Sequence, residues 1–393
     1  MIPPGPRRIS AGERRARLAI RHRLAPPART DDVAAIAADL VGLHATDPAS
    51  VFLAAGARMA GPSVAAVERA LYEDESVVRM LGMRRTMFVV PPALAALVDA
   101  GCTREIAARE RRRLIQALEA GGVAGDGAAW LAEVEGEVLA ALAATGEATG
   151  AELSAAAPRL RAELVVGEGR RWGGRVAVSS RVLFLLAADG RIVRRRPRGS
   201  WTSSQFRWAI PAAVRPKGIA PEAARAELAR RWLARFGPAL LDDLRWWSGW
   251  TATQTRAALA AIPVAEVALD EGAGVALADD LEPVAAPPPW AALLPALDPT
   301  AMGWRARDWY LGRHRERLFD RSGNIGPTVW WDGRIVGGWA QAADGVMVRL
   351  LEDVGAEAEA AVGAAAERTA ELIGPARVTP RFRTPLEREL AAG

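Results

Sequence analysis

One pattern recurs along this chain: a helix, a short turn, a second helix, then an extended segment that ends in a hairpin. Switching between helical and strand periodicity at short intervals, with turn residues at each switch, restricts the chain to small helix-and-hairpin units in series. The first unit runs from about Arg14 to Pro91. Asp31 and Asp32 open a helix with Val33, Ile36, Leu40 and Leu43 on one face, and Arg84–Val90 supplies a strand. An Ala- and Arg-rich helical stretch from Ala93 to Glu119 leads to the breaker cluster Gly121–Gly127, which reads as a linker.

The second unit begins with a helix over Val134–Leu142 and a turn at Thr145-Gly146. Thr149, followed three residues later by Glu152, has the capping-box form and starts another helix. Arg175 to Ala188 reads as a third, recognition-type helix, and Asp189-Gly190 begins a wing with strands Arg191–Arg195 and Phe206–Ile210. A third unit follows Pro221, with a helix to Phe236, a break at Gly237-Pro238, a helix capped by Thr251, and a hairpin from Val264–Leu269 and Val275–Leu277. Pro287–Pro289 separates a C-terminal part, where Asp332-Gly333 turns Thr328–Trp331 into Ile335–Ala340 and a long helix runs from about Gly355 to Ile373. The expected fold class is α+β and mostly helical: tandem winged helix-turn-helix units plus a C-terminal β-containing subdomain. The expected units are 1–120, 128–218, 219–286 and 290–393.

Charge is distributed unevenly. Between Arg170 and Arg198 nine arginines face one acidic residue, Asp189, a local excess of +8 in a chain whose net charge is only +5. A recognition helix and wing with this charge suit the phosphate backbone of duplex DNA, releasing counterions on contact. Arg84, Arg85, Arg175, Arg181, Arg194, Arg195, Arg196, Arg198, Gln254 and Arg256 are the expected DNA-contacting residues. Trp201 and Trp208 are candidates to wedge at a base step, although packing is the more common use of a tryptophan there.

The chemistry is sought in the turn Leu40–Leu53, which places His44 and Thr46 before Asp47-Pro48, a helix start with a capping carboxylate. This turn resembles the catalytic turn of the winged-helix DNA glycosylases of the AlkZ/YcaQ family, where Gln-x-Gln or Gln-x-Asp precedes Asp-Pro. His44 and Thr46 stand at the pair. A second family motif, Arg-x-x-x-Met-Arg-Gly-Thr-Leu-His-Leu-Val-Pro, is similar to Arg79–Pro91, with Arg85 in place of glycine and Phe88 in place of histidine. A third, Leu-Leu-Pro-x-Phe-Asp-Pro, is similar to Leu293–Pro299, and Gly323–Trp339 resembles the hairpin after it.

The resemblance implies hydrolysis of the N-glycosidic bond of an alkylated purine in DNA, with His44, Thr46 and Asp47 as the catalytic residues: His44 and Thr46 handle the attacking water, and Asp47 caps the helix beside them and secondarily lends electrostatic help to the reaction. An ordinary histidine, with a reference pKa near 6.5, would lose activity as pH falls through that value. The altered pair leaves the substrate open among simple alkyl, bulky and crosslinked lesions. The rival reading is a non-enzymatic winged-helix regulator, which would dimerise on half-sites. The absence of a heptad seam favours a monomer.

Other classes are excluded on residue grounds. Cys102 is the sole cysteine and reads as a small buried residue in a reducing compartment. The N-terminal stretch lacks the apolar run of a secretory signal, and no later run spans a bilayer, so the expected location is the cytoplasm, at the nucleoid. Three histidines without metal-ligand spacing, and no phosphate-cradling Gly-rich loop, leave no metal and no cofactor expected. His22 and His314, set among arginines, read as surface residues, and Trp246, Trp247 and Trp250 as packing between helices.

Overall fold

The computed structural model describes residues 5–166, 174–212 and 218–392. Its architecture is α+β, with short sheets set among helices. Three of the sheets repeat one order. In the first unit, Leu43–His44 pairs with Met87–Val90, which pairs with Val78–Leu81. In the second, Glu147–Thr149 pairs with Phe206–Ala209, which pairs with Val193–Pro197. In the third, the leading strand shrinks to an isolated bridge from Ala239 to Val275 of Gly272–Leu277, which pairs with Val264–Leu269. Each time the first strand pairs with the last, across two intervening helices. A four-stranded antiparallel sheet, Ala291–Leu294, Thr328–Trp331, Arg334–Ala342 and Gly345–Leu350 in that order, forms the C-terminal part.

The local signals act as expected at most element starts. Asp32 caps Val33–Asp39 by accepting the Ala35 N–H, Thr149 and Glu152 close a full capping box, and so do Thr251 and Gln254. Asp332 and Gly333, both at positive φ, make the tight turn before Arg334. Three readings are corrected. The breaker cluster is a short turn, because Asp126 caps a helix that already begins at Gly127 and runs to Thr145. The stretch Ala93–Glu119 is interrupted by a π-helical turn, Asp99–Thr103. The recognition-type helix is shorter than expected: it spans Ser179–Ala188, while Gly174–Ala177 is a strand paired with Glu163–Val166.

Core composition explains what holds the units together. Residues from Leu114 to Trp208 build a core of their own. The first unit shares its cores with the third unit and the C-terminal sheet, through Phe88, Trp232, Phe236, Trp304 and Trp330 on one side and Phe52, Val89, Val329 and Trp339 on the other. The expectation of surface histidines fails here. His22 is fully buried: its Nδ1 lies 2.8 Å from Thr300 Oγ1 and its Nε2 3.2 Å from the Arg235 carbonyl. A carbonyl only accepts, so Nε2 carries the proton and Nδ1 accepts from the hydroxyl. Burial, with the Arg58 charge behind it, pushes the imidazole well below its usual pKa. His314 is also buried and faces Glu352 at 3.3 Å. Arginine can be buried when it is paired, and neighbouring arginines therefore do not mark a surface. Arg58, with no exposure, forks onto Asp298 at 2.8 and 2.9 Å, so the Asp-Pro of the third motif is a structural clamp between the first unit and the C-terminal part.

Candidate active site

The turn that carries His44 is built by two residues at positive φ, Val41 and Gly42, which swing the chain out of the helix and into the sheet. His44 then pairs with Phe88, and Ala45 N–H donates to the Met87 carbonyl at 2.8 Å. The buried side chain of Arg79, from the strand beyond Met87–Val90, donates to the Ala45 carbonyl at 2.9 Å. A backbone bond and a side-chain bond thus both hold Ala45 before the helix Pro48–Gly56 begins. His44 ends the strand Leu43–His44, and Thr46 follows in the bend that leads into the helix.

Both residues carry an orphan. His44 Nδ1 and Thr46 Oγ1 are buried atoms with no hydrogen-bond partner in the protein. Such atoms occur elsewhere too, on Trp232 and Trp309 for example, but here two neighbouring residues of one turn beside a cleft leave polar atoms free for a partner outside the chain. Burial and the neighbouring Arg84 charge push the His44 imidazole down to about 3, and it is therefore neutral throughout the physiological range. The pH sensitivity expected of an ordinary histidine gives way to a group that behaves like an amide: polar and uncharged. Asp47 points elsewhere. One carboxylate oxygen accepts the Ala49 N–H at 3.1 Å as helix cap, and the other accepts the backbone N–H of Arg381 at 3.0 Å.

Thr46 opens onto a cleft of about 540 Å³. Thr46 and Pro48 form one wall. Thr149–Ala151 and Ser204–Phe206 with Trp208 form the opposite one, and Arg194, Arg198 and Arg381 stand around it. Arg194 lies over the rings of Phe206 and Trp208, at 5.3 and 5.1 Å, and Arg79 lies over Phe206 at 4.8 Å. Burial, with Arg79 and Arg381 nearby, lowers Arg194 to about 10, so it remains charged at neutral pH. Among the described residues no carboxylate lines this cleft, Arg194 forms no ion pair, and Arg381 meets a carboxylate only through its backbone N–H on Asp47. A half-buried guanidinium without a counter-charge is a ready anion ligand.

The other expected contact residues are placed differently. Arg195 pairs with Glu75 and Glu147, Arg196 with Glu68 and Glu73, Arg198 with Glu152, and Arg175 with Glu163. Arg84 turns inward onto Trp246 at 3.9 Å, with burial and Arg307 lowering it to about 10. Gln254 is consumed by its capping box and by Glu105 at 3.0 Å. Arg256 is exposed, and Arg85 and Arg181 meet at a separate cleft. Trp201 and Trp208 are buried and pack, Trp201 against Phe52. Arg170 and Arg171 lie outside the described residues. The residue that sequence reasoning missed is Arg381, whose contact with Asp47 spans 334 positions.

The fold is one already solved for an enzyme of DNA: the chain superposes on Streptomyces sahachiroi DNA glycosylase AlkZ with a TM-score of 0.70 at 22% identity, covering 96% of this chain and 100% of that one. No curated protein matches the sequence. Residues 37–372 match the AlkZ-like DNA glycosylases, and the chain belongs to that family. The match includes the His44 turn and stops short of Arg381. Among the described residues no helix is long and apolar enough to cross a membrane, and no group of His, Cys, Asp or Glu is arranged to hold a metal ion.

Proposed function

We propose that this chain is a monomeric DNA glycosylase of the cytoplasm that hydrolyses the N-glycosidic bond of an N7-alkylated purine in duplex DNA. The observation that carries the reading is the pair of orphan polar atoms, His44 Nδ1 and Thr46 Oγ1, on the turn that in this family holds the catalytic pair. The repeated sheet order, first strand to last with a hairpin between, supports three tandem winged helices, and we assign them to units 1–120, 128–218 and 219–286, before a C-terminal unit 290–393, with Leu114 and Leu118 at the end of the first packing into the core of the second.

The reaction breaks C1′–N9 and forms C1′–O. Alkylation at N7 has already made the base cationic, so the electron pair of the broken bond leaves it neutral without an added acid. The attacking water must be held at C1′ and lose a proton. Thr46 orients it and neutral His44 accepts its hydrogen bond, while the proton goes to a neighbouring water, the imidazole being too weak a base to take it. A protonated imidazole would repel the oxocarbenium-like sugar, and burial of His44 prevents that. Asp47 adds a fixed negative charge behind the turn and keeps Arg381 in place. Arg194 and Arg381 take the flanking phosphates.

The test is abasic-site formation on duplexes carrying N7-methylguanine, a bulky N7 adduct or an N7 crosslink, read as alkali-induced strand breaks. Breaks at one or more of these lesions are expected. Tight binding to all three with no breaks would point to a DNA-binding protein without the chemistry.

A further inference from the structure

Arg84 and Arg85 follow one another in the left-handed region, at φ 52° and 61°, on the tip that joins Val78–Leu81 to Met87–Val90. A β-carbon crowds the neighbouring carbonyl there, so such a tip selects glycine. The family motif that this tip resembles carries glycine at the position of Arg85. The turn closes through Thr86, whose N–H and hydroxyl both reach the Met83 carbonyl, and neither bond involves the Arg85 side chain. The backbone favours glycine and the chain supplies arginine. Strain of this kind persists where the side chain is used.

The two arginines leave the tip separately. Arg84 goes to Trp246, whereas the Arg85 guanidinium lies over Phe184 at 5.1 Å and meets Glu110 at 2.9 Å. It borders a second cleft, of about 450 Å³, together with Glu110, Arg113, Ser180, Arg181 and Phe184. Glu110 is shared between Arg85 and Arg113, at 2.9 and 2.8 Å, so one carboxylate answers three guanidinium groups. The Arg85–Glu110 pair is half exposed, and exposed pairs add little stability, so the pair alone does not account for the strained arginine. Arg181 sits in the first turn of Ser179–Ala188, where the helix end adds positive potential. Arg85 is three residues from Phe88, the partner of His44, and so within roughly 16 Å of the catalytic turn along the hairpin.

We propose that this cleft is a phosphodiester subsite that grips the duplex beside the nucleotide being cut, with Arg85, Arg113 and Arg181 as its ligands. The inference rests on the DNA reading above, and adds a phosphate ligand that a glycine at position 85 does not provide.

The test compares wild type with Arg85→Gly, Arg181→Ala and the double variant in duplex binding by fluorescence anisotropy across a salt series, with thermal unfolding alongside. Arg321→Ala, in an exposed turn of the C-terminal part, is the charge-matched control. Arg85→Gly relieves the backbone and is expected not to lower the unfolding midpoint, yet to weaken duplex binding at least fivefold. The salt slope should fall by about 0.9 for each phosphate that the variant no longer neutralises. Base release at saturating DNA should keep its kcat while KM rises. Wild-type affinity and slope in the double variant would overturn the subsite and leave the glycosylase reading intact. A loss of affinity in the variants, with a wild type that releases no base, would do the reverse, and a wild type that binds no duplex would overturn both.

Discussion

The wing of the second unit and the cleft beside it use the same residue type to different ends. Arg195, Arg196 and Arg198 on the wing are each matched to a glutamate, two of them to glutamates of the first unit. Arg194, one residue away in sequence, faces the aromatic wall of the cleft with no carboxylate partner among the described residues. The +8 excess counted along the sequence is therefore not the charge available to a ligand. Pairing decides what is available: Arg195 and Arg196 join the second unit to the first, Arg198 is held by Glu152, and Arg194 stays unmatched at the cleft.

The largest expected effect falls on the cleft side. Arg194→Ala should weaken duplex binding about 10- to 100-fold, the cost of a charge-assisted contact of about 1.5–3 kcal/mol, measured by anisotropy at fixed salt. A loss below threefold would erase the distinction between wing and cleft.

Next comes the proton balance of the turn. His44 titrates at about 3 in the folded chain and near 6.5 unfolded, so between those values the unfolded chain binds more protons. Its contribution to stability is complete above pH 6.5 and declines as pH falls, by about 2 kcal/mol at pH 5. His22, shifted the same way, adds to that slope. His44→Gln should remove its own share when urea unfolding is compared at pH 5 and 7. An unchanged pH dependence would mean that the imidazole is solvated.

Asp47→Ala removes a helix cap and the anchor of Arg381 together. A loss of about 1–2 kcal/mol in unfolding free energy is expected, with a severalfold drop in duplex affinity. Intact affinity would show that Arg381 holds its place without Asp47. The smallest effect belongs to the wing: Arg196→Ala, on an exposed double pair, should change stability by no more than about 1 kcal/mol and duplex affinity less than threefold. A tenfold loss of affinity there would restore the wing as the main DNA face.

What the sequence made legible was local. Caps at Asp32, Thr149 and Thr251, the Asp332-Gly333 turn and the helix Pro221–Phe236 are set by neighbours within a few residues, and they stand where expected. The turn at His44 is recognisable by its motif, and its place on a cleft wall is a tertiary fact. The misread features depend on pairing partners that lie outside the segment itself. Gly174–Ala177 becomes a strand because Glu163–Val166 lies against it, and His22 is buried because Thr300 and the Arg235 carbonyl come from distant elements. Arg381 enters the site only through a carboxylate 334 residues earlier. Burial of His44 converts a residue that normally switches near neutrality into one that does not, and residue type alone carries no trace of that.

The proposed mechanism rests on two uncharged polar groups of one turn holding the attacking water. It is tested most directly by single-turnover base release from a duplex carrying N7-methylguanine, comparing wild type with Thr46→Val and His44→Ala at saturating DNA between pH 5.5 and 8.5. Release by the wild type is expected at a rate nearly independent of pH, with a loss of about 100-fold or more in each variant. Release at the wild-type rate in both variants, or none from a wild type that binds the duplex, would contradict it.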